Sequence, residues 1–136
     1  MLSFQTILFA LLGGVLPALL WLWFWLKQDK KRPEPRGLIL LAFVVGMIAV
    51  PVVLPFEKFA DSYFTGTAVI IIWSAIEEIF KYTFAYFAVL RRKAMDEPVD
   101  AVIYMITVAL GFAALENTLF LINPITDGSF VDTIIN

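Results

Sequence analysis

Residues 67–90 read Thr67-Ala-Val-Ile-Ile-Ile-Trp73-Ser74-Ala-Ile-Glu77-Glu78-Ile-Phe-Lys81-Tyr-Thr-Phe-Ala-Tyr-Phe-Ala-Val-Leu90. The run is long and apolar enough to cross a bilayer, yet two adjacent carboxylates and a lysine sit at its middle. A charge at the centre of a bilayer costs roughly 2.5–3.5 kcal/mol on insertion scales. Three such groups need a compensating partner or a task, so the stretch reads as an intramembrane active site.

The rest of the chain agrees with a membrane setting. Of its 136 residues 61% are hydrophobic and only 16% charged, where soluble domains are about half apolar and about a quarter charged. Residues 2–26 form an apolar segment too long for a signal peptide and without a basic start. Pro17 is expected to kink it, and Trp21, Trp23 and Trp25 to anchor its end at headgroup level. Residues 37–54 give a second, shorter span closed by Pro51 and Pro55, and 55–66 a loop holding Glu57, Lys58 and Asp61. Residues 67–90 and 99–122 give the third and fourth spans, the last broken by Asn123-Pro124 and followed by a short apolar piece, Phe130 to Ile135. The expected fold is an all-α, polytopic transmembrane helix bundle of one domain, with four spans plus a short C-terminal segment.

Charge excludes some functions and orients the chain. The net charge is −2, with no basic stripe or RNA motif, so nucleic acid is not an expected partner; the lipid bilayer is. Cysteine is absent, which excludes disulfides, thiolate catalysis and Cys-based metal sites. Eight of the ten Lys and Arg residues fall in the loops 27–36 and 91–98. The positive-inside rule places both loops in the cytoplasm and the N-terminus outside.

On the third span Glu77 to Lys81 is an i, i+4 step and Glu78 to Lys81 an i, i+3 step, so the ammonium reaches either carboxylate. Glu77 lies about 15 Å from the outer end of its span and Glu116, on the returning fourth span, about 9 Å from its own. The two meet if the spans pack together. Glu116 has Phe112, Ala113 and Phe120 as helical neighbours, so on its own helix only Asn117 can satisfy it, and its partner comes from another helix or from water. Three ionised carboxylates and one lysine leave a charge of −2, so the group calls for a proton, a cation or a further basic residue. It suits water activation by one carboxylate with a second polar group at the oxyanion. It equally suits a cation or proton path or a structural ion pair, and the charges alone favour none of the three. Gly13-Gly14 and Gly111 with Ala114 read as close-packing points between helices. Asp100 reads as a cap at the start of the fourth span, away from Glu116.

Three blocks together resemble the PrsW family of intramembrane proteases. They are Arg32-Pro-Glu-Pro-Arg36 followed by a helix with Phe43 and Gly46, then Glu77-Glu78-x-x-Lys81, then Asp100-Ala-Val-Ile-Tyr104 leading to Gly111-Phe-Ala-Ala-Leu-Glu116-Asn117. The resemblance covers most of the chain. It implies an integral membrane protease of the wider group that includes the CAAX-processing and bacteriocin-immunity-type proteins, in a bacterial or archaeal plasma membrane. Glu77 and Glu78 take the place of the family's catalytic pair, and Glu116 and Asn117 that of its glutamate–asparagine motif. The substrate it implies is a membrane-anchored protein, with anti-sigma factors as a regulatory example.

The family continues through further helices that bring histidine to the site, and this chain has no His. It is therefore expected to be a C-terminally truncated piece or a degenerate relative, with little activity by itself. A divalent metal is left open as cofactor. Zinc, which favours His and Cys, is poorly served by these residues, and carboxylates alone suit a harder ion.

Overall fold

The computed structural model describes residues 3–28 and 33–126, with side chains up to Ile122. Among them there is helix and no strand: α1 (Phe4–Gln28), α2 (Arg36–Asp61), α3 (Thr67–Ala85) continued by a π-helical turn (Tyr86–Leu90), and α4 (Pro98–Thr126). Three of these, α1, α2 and α4, are long and apolar enough to cross a membrane. The remaining helix, α3, carries Glu77, Glu78 and Lys81 within its apolar run and is not among the three. The expected C-terminal piece Phe130 to Ile135 lies outside the described residues.

Two boundaries differ from the sequence reading for the same reason. The second helix does not stop at Leu54; it passes through Pro51 and Pro55 and ends at Asp61. Likewise α4 passes through Asn123-Pro124 to Thr126, and α1 continues past Pro17. Each proline removes one backbone donor, a loss that neighbouring helices make tolerable in apolar surroundings. Around Pro51, the buried Ala49, Val50 and Val53 pack with Phe112 of α4 and with Ile76 and Phe80 of α3. The Trp73 indole N–H of α3 donates to the Glu57 carbonyl at 3.3 Å, fastening the last turns of α2. Gly66, at φ 63°, makes the turn into α3 that a side chain would disfavour.

The helices stand in a row. The first packs on α4, α4 on α2, and α2 on α3, while α3 touches α4 only lightly. The central α2–α4 crossing is close because glycines replace side chains there. A Cβ at Gly46 would lie 2.0 Å from the Val108 carbonyl oxygen, and one at Gly111 2.0 Å from that of Phe43. A Cβ at Gly14 would lie 2.0 Å from the Thr118 Oγ1, so α1 approaches α4 in the same way. The outward side of α1 shows Trp21 and Trp23 more than half exposed, and the Lys27 ammonium lies 3.8 Å from the Trp23 ring centre. That pairing of an aromatic ring with a cation suits a membrane–water boundary.

Candidate active site

The register of α3 separates its two glutamates. Glu78 turns outward, its side chain 69% exposed, and takes Lys81 Nζ at 2.9 Å. Glu77 turns inward, at 21% exposure, and lies 4.0 Å from the same ammonium. Lys81 then leans toward α4, 4.5 Å from the Phe112 ring centre. Ser74 donates to the Ile70 carbonyl of its own helix at 3.0 Å and so is spent locally.

Opposite Glu77 stands Glu57, which the sequence predicts in a loop. Because α2 continues past Pro55, Glu57 becomes a helical residue, half-buried, whose carboxyl lies within electrostatic reach of Glu77. Like charges brought together repel, and the Lys81 ammonium beside Glu77 offsets part of that repulsion. Glu116 on α4 completes the group, within electrostatic reach of Glu77 and Lys81. A cleft of about 510 Å³ opens beside them, lined by Val50, Val53, Leu54, Glu57, Phe112 and Glu116 among others. Asn117 is exposed and lies outside that lining. The signal for Glu57 was present in the sequence. An acid two residues beyond Pro55 falls at the level of Glu116 once the helix is allowed to run through its prolines.

The structure also brings together, at the opposite end of the bundle, two motif blocks that the sequence reading kept apart. The buried Tyr104 hydroxyl donates to the Glu34 carboxylate. Asp100 caps the start of α4, its Oδ2 accepting the backbone N–H groups of Asp96 at 3.0 Å and Glu97 at 2.8 Å. Replacing Tyr104 with Phe removes a donor from a buried carboxylate. It is expected to lower stability by about 1–3 kcal/mol, readable by thermal or denaturant unfolding in detergent.

Comparison with known proteins then identifies relatives. Residues 34–135 match the family model described as PrsW family intramembrane metalloprotease. Protease PrsW of Geobacillus kaustophilus is 32% identical over 114 residues, 81% of this chain and 51% of the relative. Protease PrsW of Halalkalibacterium halodurans is 28% identical over 85% of this chain and 56% of the relative. For protease PrsW of Bacillus subtilis the figures are 28%, 91% and 59%. The chain spans about half the length of the curated relatives it matches. No solved structure matches.

The family description names a metal, and the residues around the cleft do not by themselves fit one. Their donors are carboxylates, without the nitrogen or sulfur that zinc favours. Glu57, Glu77 and Glu116 also do not form a set of mutually close ligand atoms. Among the described residues, the set that does is Glu34, Asp96 and Asp100, at the far end of the bundle.

Proposed function

The chain belongs to the PrsW family of intramembrane metalloproteases, and from that premise we propose that it forms the carboxylate-bearing part of a membrane-embedded peptidase. The reaction is hydrolysis of a peptide bond in a membrane-anchored protein by glutamate-activated water. Glu77 is the base: it takes a proton from water as the water oxygen bonds to the scissile carbonyl carbon. The proton then passes to the departing amine as the C–N bond breaks. Lys81 balances the developing charge, Glu57 and Glu116 hold water and share the proton, and Asn117 approaches the substrate from the exposed side of α4. In this reading α3 with its π-helical turn also crosses the membrane, which makes four spans with α1, α2 and α4. The N-terminus lies outside and the basic loops lie in the cytoplasm; in support, Glu34 and Asp96, one from each of these segments, lie together at one end of the bundle. A regulatory substrate of the anti-sigma-factor kind fits this placement.

The observation that carries the reading is that acids from α2 and α4 line an open cleft, with Glu77 of α3 and its lysine within electrostatic reach of them. The test is cleavage of a membrane-anchored reporter in proteoliposomes. Glu57→Gln is expected to reduce the rate about 10- to 100-fold, less than loss of a general base would. An unchanged rate removes Glu57 from the site. A cation or proton path predicts ion flux that depends on Glu116 without any cleavage, so measuring both in the same vesicles decides between the two.

A further inference from the structure

We infer that the end of the bundle opposite the cleft is a binding site for a hard divalent cation, calcium or magnesium, held by Glu34, Asp96 and Asp100. One carboxylate oxygen from each of the three lies within 4.8 Å of the others. They come from three separate pieces of chain: the segment before α2, the loop before α4, and the first turn of α4. Asp100 is 0% exposed. Its Oδ2 is pinned by the two backbone N–H groups already described, while its Oδ1 is buried with no hydrogen-bond partner. A buried charged oxygen without a partner is costly. The neighbouring Glu34 and Asp96 carboxylates, when ionised, only accept.

The surroundings are arranged to hold these oxygens still. The Tyr104 hydroxyl fixes Glu34 from behind, and Tyr104 is itself fully buried among Ile39, Ala42, Val89 and Val108. An all-oxygen, carboxylate-rich set selects calcium or magnesium over zinc or copper, with water completing the shell. Such an ion would tie the α1–α2 connection to the start of α4, and so fix how α2 and α4 meet. The role is structural and independent of the proteolytic reading.

The test uses the purified chain in a non-ionic detergent, comparing thermal unfolding in calcium chloride, in magnesium chloride and in EDTA. Terbium luminescence reports occupancy directly. Saturating calcium or magnesium is expected to raise the midpoint by roughly 5–10 °C over EDTA. One terbium ion should bind per chain and be displaced by calcium. Asp96→Asn alters an exposed member and leaves the buried core intact; it is expected to weaken terbium binding at least tenfold. Asp100→Asn should abolish the calcium-dependent shift. Should that variant fail to fold, Asp96→Asn still decides. The proposal is overturned if the wild-type midpoint is the same in calcium, magnesium and EDTA, as it would be with a basic side chain or a proton among the three acids. Terbium affinity unchanged in Asp96→Asn overturns it equally.

Discussion

Glu77→Gln is expected to lower kcat/KM for a membrane-anchored substrate by about 10²- to 10⁴-fold, the range for loss of a general base. Glu78→Gln, one residue on, is expected to lower it by about tenfold or less, through Lys81 alone. The two side chains are chemically equal and adjacent, and the motif treats them as a pair. Geometry separates them: Glu77 turns inward toward Glu57, while Glu78 is 69% exposed and engaged with Lys81. The assay is steady-state cleavage by both variants in proteoliposomes, with expression and unfolding midpoint checked alongside. A larger loss from Glu78→Gln than from Glu77→Gln would exchange their roles.

The second large effect is on the fold. Gly46→Ala should destabilise the protein by about 3 kcal/mol, the upper part of the usual overpacking range. The added methyl would meet the Val108 carbonyl oxygen at 2.0 Å and the Phe112 nitrogen at 2.9 Å. Both are backbone atoms, which cannot swing aside as a side-chain tip can, so the α2–α4 crossing must open. Gly37→Ala provides the contrast. Nothing lies within 4 Å of its new methyl, and alanine favours helix over glycine by about 0.8–1.0 kcal/mol in a helix interior. That variant should be neutral or slightly more stable in the same unfolding assay. Equal losses from the two glycines would sink the close-crossing argument.

Much of this was legible from residue types and spacing. Apolar length placed the helices, and the charged centre of residues 67–90 marked the place where carboxylates gather. The i, i+3 and i, i+4 steps to Lys81 are local, and the structure shows that ammonium near both acids. What sequence could not supply was tertiary. Whether a helix survives a proline depends on the neighbours that hold it, and here Trp73 and the packing of α3 and α4 against α2 carry that helix on to Asp61. Ending that helix at Pro55 hid Glu57 in a loop. Which of two adjacent glutamates turns inward depends on the rotation of α3 about its own axis, set by what it packs against. The meeting of Glu34 with Tyr104 joins residues 70 positions apart, a distance no local pattern reports. Gly46 showed its purpose only when α4 arrived against it.

The row of helices has a mechanical consequence. Since α3 sits at the end of the row, braced by α2 and only grazed by α4, it is the member most easily shifted by lateral pressure. Glu77 rides on it, whereas Glu57 and Glu116 belong to the closely packed central pair. The gap between these carboxylates is thus set by the loosest joint in the assembly. Bilayer thickness and tension would tune that gap, as a thumbwheel adjusts a caliper.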